Sequence, residues 1–296
     1  MTFWATLASR SDRLRLVFLV VWAFIQTASA APGTSVKLAT WNLDWLTLLP
    51  ATSPLLPDDV PRRSTDDWRA LSEYATRLDA DIVAIQEVSD ETAAKKLFPS
   101  SAYSITLTHA PIAQNLGLVL RAPWHVESTA SLEAFDRSSA HGGHALRPAM
   151  DAIVSNGRAK LRLLVVHLKS GCWDRNWVEH DHACPILREQ IQLVANWIEE
   201  REDENEPYIV LGDFNRRMTL TDPYFRHMVD AHDPTLTTAG RASPCEGGSY
   251  FIDHILVGGP ARPWLVPDSL RVMTYAGDTQ HLLSDHCPVS VKLALP

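Results

Sequence analysis

The sequence predicts a layered α/β domain. Three observations point there: short apolar runs alternate with stretches of helical spacing, the runs have strand length, and no internal repeat or low-complexity tract interrupts them. The chain has 296 residues, 46% hydrophobic and 21% charged, which is ordinary for a globular protein with a substantial core.

The N-terminus stands apart. Arg10, Arg13 and Arg15 precede the apolar run LVFLVVWAFI (16–25), and TASA (27–30) follows. A basic region, a short apolar region and an A-x-A ending describe a secretory signal cleaved near Ala30, and the apolar run is too short to span a bilayer comfortably. The expected organisation is therefore a signal peptide over 1–30 and one domain over 31–296, secreted or periplasmic. Cleavage removes three arginines and Asp12, a net +2, so the charge of −8 becomes −10. An acidic product does not advertise a broad polyanion-binding face, which counts against tight non-specific wrapping of nucleic acid, although a local cationic cleft survives that argument. We expect a monomer with no stable membrane association after cleavage.

Strands are predicted over 36–42, 81–86, 102–107, 116–121, 148–155, 161–168, 207–211, 250–257 and 288–294. Residues 66–78 place Trp68, Leu71, Ala75 and Leu78 at helical spacing, with Ser64 or Thr65 available as cap. Residues 185–202 begin with Pro185, suited to a first turn, and carry the stripe Leu187, Ile191, Val194 and Ile198. Prolines forbid a helix over 48–65, and 258–283 reads as a second long loop. Cys172 and Cys184 bracket CWDRNWVEHDHAC and are expected to pair in an exported protein. Cys245 and Cys287 form a second bridge, or Cys287 is a buried thiol; the sequence leaves both open.

Several apolar runs end in polar residues. VKLATWN ends in Asn42, DIVAIQE in Glu87, LRLLVVHLK in His167 and Lys169, and YIVLGDFN in Asp213 and Asn215, while LLSDHCPVSVKL begins a strand with Asp285 and His286. Polar groups appear in inner strands where these emerge from the sheet. In YFIDHILV, alternation sets Asp253 on one face with Phe251, Ile255 and Val257. A carboxylate there needs a charged or hydrogen-bonded partner, and His286 is the leading candidate. Such a pair raises the basicity of the imidazole and fixes its tautomer. Taken singly, each residue reads as a turn, a cap or a core histidine; together they read as a site.

The ordered set TWNLDWL, DIVAIQEV, VVHLKS, VLGDFN, IDHILV and LSDHCPV resembles the endonuclease/exonuclease/phosphatase superfamily, metal-dependent phosphoesterases that include pancreatic-type deoxyribonuclease. The likeness spans 37–294, and GDFN followed by SDH is its most specific part. It implies a single-domain four-layer α/β/β/α sandwich with two packed mixed β-sheets and the site at one edge. It also implies that Glu87 binds a divalent cation, Mg²⁺ with Mn²⁺ or Ca²⁺ as alternatives, with Asn42 and Asp285 beside the ion. His286, oriented by Asp253, acts on the attacking water or leaving oxygen. Asp213 and Asn215 position water and phosphate, His167 donates to non-bridging oxygens, and Arg147 grips phosphate.

The implied activity is phosphodiester hydrolysis, with nucleic acid the expected partner. HLKS and the approach to IDH are similar to extracellular bacterial nucleases. A sphingomyelinase-type phospholipase C or an inositol-phosphate phosphatase is the alternative, and a non-catalytic binding module a distant one. Trp173, Trp177, His180 and His182, bracketed by Cys172 and Cys184, either stack on a base or headgroup or pack on the domain.

Overall fold

Apolar runs buried on both faces assemble two six-stranded mixed sheets, seen in a computed structural model. Met1, Thr2 and residues 35–296 are described, other than 61, 142, 182, 231, 246 and 278–282. Gly33–Pro296 is one packing unit and Met1–Pro32 another; the expected signal peptide lies in the second, outside the described residues except for Met1 and Thr2.

The strands are β1 Ser35–Leu46, β2 Ile82–Val88, β3 Tyr103–Leu107, β4 Asn115–Arg121, β5 His125–Leu132 and β6 Ala149–Ser155. They continue with β7 Lys160–His167, β8 Tyr208–Asp213, β9 Thr235–Leu236, β10 Asp253–Gly258, β11 Arg271–Val272 and β12 Val289–Ala294. The helices are α1 Thr65–Leu78, α2 Glu91–Leu97, α3 Ser138–His141, α4 Cys184–Asp203 and α5 Pro223–Val229. One sheet has the order β11–β12–β1–β2–β4–β3 and the other β5–β6–β7–β8–β10–β9.

Each sheet buries both faces. Leu38, Ile82, Leu118, Leu163, Ile209 and Ile255 belong to the apolar layer between the sheets. Trp41, Val83 and Ile85 pack outward against Leu71 and Leu78 of α1 and Leu97 of α2. Leu164, Val166 and Val210 do the same against Leu187, Ile191 and Ile198 of α4 and Phe225 of α5. The result is the expected α/β/β/α sandwich. Ser64 caps α1 in a capping box: its hydroxyl accepts from Asp67 N at 3.2 Å, and Asp67 Oδ2 accepts from Ser64 N at 2.7 Å.

Three differences from expectation have physical causes. The edge strand β5 is mostly exposed and polar, so no apolar alternation announces it. The 250–257 strand starts only at Asp253, where pairing with β8 begins. Glu87 and Asn42 do not end their strands; β2 continues to Val88 and β1 to Leu46 past a register shift between them.

Cys172 and Cys184 pair as expected with Cα atoms 5.1 Å apart, and Cys245 and Cys287 pair at 6.0 Å, which decides against the free thiol. The first bridge closes a sequence separation of 12 residues. A Cys172→Ala/Cys184→Ala double variant is expected to lose about 3 kcal/mol in denaturant unfolding, from loop closure in the unfolded chain. An unchanged midpoint and slope would show that the bridge does not constrain the unfolded chain.

Candidate active site

Strand alternation carries three polar groups to one mouth of the sandwich. Leu161, Leu163 and Val165 of β7 belong to the layer between the sheets, and the next residue of that parity is His167. The same count runs from Ile209 and Leu211 of β8 to Asp213, and from Val257 and Ile255 of β10 back to Asp253. His167 lies opposite Asp213 in the β7–β8 register, and Asp213 opposite Asp253 in the β8–β10 register. These three therefore form a row across adjacent strands. On the facing sheet Val36 and Leu38 lead by the same parity to Asn42, whose Nδ2 donates to Asp213 Oδ2 at 3.1 Å.

Glu87 arrives by another route. Val83 and Ile85 of β2 point outward, and plain alternation would send Glu87 outward with them. Its φ is +61°, at an irregularity of the β2 pairings with β1 and β4. This left-handed residue re-aims the carboxylate to the rim. There Oε1 accepts from Asn42 Nδ2 at 3.2 Å and Oε2 from Trp45 N at 3.1 Å.

The other groups are tied in tightly. Asp213 Oδ1 accepts from Asn215 N at 2.8 Å and Oδ2 from Asn215 Nδ2 at 3.1 Å. Asn215 Nδ2 also reaches Leu168 O at 3.0 Å, and its Oδ1 accepts from Trp173 Nε1 at 3.2 Å. Ser284 Oγ donates to Asn42 O at 2.9 Å and accepts from His286 N at 3.1 Å, fixing the SDH turn against β1. From the Pro-rich segment, Arg63 Nη2 donates to Leu43 O, Asp44 O and Leu283 O at 2.8, 2.7 and 3.0 Å, joining the end of β1 to the residue before the SDH turn.

His286 Nδ1 donates to Asp253 Oδ2 at 2.7 Å, as expected from the sequence. Its Nε2 lies 3.7 Å from Asp213 Oδ2 and 3.8 Å from Asp285 Oδ1. Burial pulls the imidazole pKa down, but the charges of Asp253 and Asp213 outweigh it, and the pKa stands well above the usual value. His167 behaves oppositely: burial first, then the neighbouring Arg147, His286 and Lys169, hold it well below its usual value. It is neutral, with Nε2 3.5 Å from Asp213 Oδ2 and 3.6 Å from Glu87 Oε1. Burial pushes Asp213 up to about 7 against the pull of His286. Arg147 is buried, donates from Nη2 to Leu168 O at 3.1 Å, and leaves Nε without a partner among the described residues.

A cavity of about 530 Å³ opens on this set, lined by Glu87, Arg147, His167, Asp213, Asn215, Asp285 and His286 together with Trp45, Gln114, Trp173 and Arg217. Asn42 and Asp253 stand behind the lining, bonded to Asp213 and His286. Every site residue expected from the sequence is thus in one place. Trp173 borders the cavity, whereas Trp177 packs on Tyr224 and His227 with ring centroids 4.8 and 4.6 Å away. His180 is exposed and His182 lies outside the described residues. Sequence reasoning missed Trp45, Gln114, Arg63 and Asp44, none of which carries a local signal. Arg216 of GDFNRR is structural: it pairs with Asp222 and lies 4.1 Å over the Tyr224 ring.

The oxygen-rich side of the cavity suits a hard divalent cation. Asp44 is pushed up to about 6 by burial and then by the charges of Asp285 and Glu87, so three carboxylates share negative charge that a cation would relieve. Asp213, Asp253 and His286 also lie close enough to hold an ion, with ligand atoms within 4.8 Å of one another. Within that trio the imidazole Nδ1 is committed to Asp253, which leaves Nε2 facing Asp213 and Asp285.

A four-layer sandwich with a carboxylate–imidazole cavity at one edge is the architecture of the metal-dependent phosphoesterases. The chain matches the model of the Endonuclease/Exonuclease/phosphatase family over residues 39–286 and belongs to that family. It is similar to truncated Caenorhabditis elegans TDP2 at 17% identity and TM-score 0.61, covering 88% of this chain and 97% of that one. The human Nocturnin catalytic domain with bound sulfate anion matches at 14% identity and TM-score 0.60, covering 88% and 94%. D. rerio TDP2 complexed with single strand DNA product matches at 19% identity and TM-score 0.57, covering 88% and 98%. These are likenesses of fold. No curated protein matches the chain in sequence.

Proposed function

We propose that this chain is a secreted or periplasmic, Mg²⁺-dependent phosphodiesterase that cleaves nucleic acid with little sequence preference and works as a monomer. The observation that carries the reading is the His286–Asp253 pair meeting Asp213 and neutral His167 in a cavity whose other wall is acidic. The single-strand DNA product bound by D. rerio TDP2 supports nucleic acid as the substrate class. The basic-apolar-A-x-A start over 1–30 and the two cysteine pairs support export, and no described helix is long and apolar enough to cross a membrane.

The residues divide the work of an in-line attack by water on phosphorus. Glu87 and Asp285, with Asn42 adjoining, would hold Mg²⁺, which when bound neutralises charge on the phosphoryl oxygens. Arg147 grips a non-bridging oxygen from its buried position, and the neutral His167 donates a second hydrogen bond there as charge develops. Asp213, its oxygens steadied by Asn42 and Asn215, takes the proton of the attacking water. His286, kept protonated by Asp253 and Asp213, gives a proton to the leaving oxygen.

Incubating plasmid DNA, RNA and sphingomyelin side by side with Mg²⁺ tests the substrate. Nucleic acid should be cut, EDTA should stop the reaction, and added Mg²⁺ should restore it. Cleavage of sphingomyelin alone would move the chain to the phospholipases. Absence of metal-dependent turnover of bis-p-nitrophenyl phosphate would leave a binding module instead.

A further inference from the structure

A second cavity, of about 520 Å³, adjoins the catalytic one and shares Trp45, Gln114 and Arg147 with it. Its character differs. Leu55, Leu56 and Pro57 of the loop after β1 line it together with Ile112 of the β3–β4 connection. The wall is built rather than loose: Leu56, Val60 and Ala113 form an apolar cluster of their own, with Trp45 and Leu49 packed against it. Two polar side chains, Gln114 and His144, complete the lining.

Building on the phosphodiesterase reading, we propose that this groove is the subsite for a nucleobase, the planar aromatic group joined through its sugar to the phosphate that Arg147 holds. Continuity sets the occupant. Arg147 borders both cavities, so the substituent of a phosphate held there reaches the groove directly. The volume falls within the range of small-ligand pockets, about 300–1,000 Å³, and admits a nucleoside.

The chemistry narrows it further. A planar ring stacks on the Trp45 indole and on proline faces, while its edge hydrogen-bonds to Gln114 or His144. An acyl chain would fill the same space but strip water from the Gln114 amide without replacing its hydrogen bonds. Beyond the groove, the adjoining cavity shares Leu55, Pro111 and Ile112 and is lined by Asp90 and Glu91. Both charges are answered within the chain, Glu91 by Lys95 at 3.0 Å and Asp90 by Ala93 N at 3.0 Å, so they do not bar a strand from continuing past the groove.

The test uses two esters with one leaving group, thymidine 5′-(p-nitrophenyl phosphate) and methyl p-nitrophenyl phosphate, with Mg²⁺ present. Wild-type protein should prefer the nucleoside ester by about tenfold in kcat/KM, mainly through KM. Leu55 is 45% exposed, so Leu55→Asp puts a charge in the groove without opening the core. The variant should lose about tenfold on the nucleoside ester and stay within about twofold on the methyl ester. Equal losses on both, or none on the nucleoside ester, overturn the subsite. A p-nitrophenyl decyl phosphate preferred over the nucleoside ester, with that preference erased by Leu55→Asp, gives the groove to an acyl chain and overturns it too. Equilibrium dialysis of thymidine 5′-monophosphate against methyl phosphate in EDTA judges the groove without turnover. Tighter nucleotide binding that Leu55→Asp weakens supports it, and equal binding overturns it. Failure to hydrolyse either ester would remove the hydrolase reading alone, leaving dialysis to decide the groove.

Discussion

Replacing His286 with alanine is expected to lower kcat by about 10³-fold, the scale of one general acid–base group. The imidazole is the only side chain bonded to Asp253 Oδ2 that also stands within 4 Å of both Asp213 and Asp285 among the described residues. Removing it takes away the proton donor and strands a buried carboxylate. Breaking such a pair costs about 3–5 kcal/mol when the remaining charge stays ionised. Asp253 can limit that cost by taking up a proton.

His286→Gln separates chemistry from stability. Its amide can still donate to Asp253, but it cannot exchange a proton with the leaving oxygen. Both variants should show the same loss of kcat, and His286→Gln should unfold closer to the wild-type midpoint. Near-wild-type turnover by either variant would remove His286 from the chemistry and dissolve the assigned pair.

Much of this site was legible because strand parity is simple. In YFIDHILV, alternation alone set Asp253 among apolar residues and demanded a partner, and the β10 register delivers it beside Asp213. His167 and Asp213 follow from the same count on β7 and β8. Glu87 shows where parity stops working. Its apolar neighbours Val83 and Ile85 point outward, and only a left-handed backbone at an irregular pairing turns the carboxylate to the rim.

Other parts had no local signature. Arg63 sits in a stretch whose prolines advertise only the absence of a helix, yet its guanidinium joins the end of β1, which carries Asp44, to Leu283. Asp44 gains its raised pKa from burial and from residues distant in sequence. The tryptophans following Cys172 read alike in sequence but part ways in space. Trp173 finds an acceptor in Asn215 at the cavity, while Trp177 finds aromatic neighbours away from it. Pairwise geometry of that kind is set by tertiary packing, which no window of sequence contains.

Among the described glycines, Gly212→Ala is expected to be the most damaging added methyl. Gly212 precedes Asp213 in the GDFN stretch, has φ +140°, and lies opposite Val166 in the parallel β7–β8 pairing. A Cβ there would stand 1.9 Å from Val166 O and 2.9 Å from Val166 C. Those atoms are backbone, so no rotamer change relieves the clash. Either β8 withdraws from β7, or Gly212 leaves its conformation and turns Asp213 away from His167. A loss above about 4 kcal/mol is expected, a large part of the ~5–15 kcal/mol that holds a typical domain folded.

Gly240 supplies the control, since it too has positive φ, +68°, but a Cβ there meets nothing within 4 Å. Gly240→Ala should cost only about 1–3 kcal/mol of backbone strain. Denaturant unfolding of the two variants therefore separates contact from conformation. The glycine of GDFN is required by the close approach of two strands if Gly212→Ala loses far more than Gly240→Ala. Equal midpoints for the two would mean that β7 and β8 do not approach so closely, and would undo the register that places His167 against Asp213.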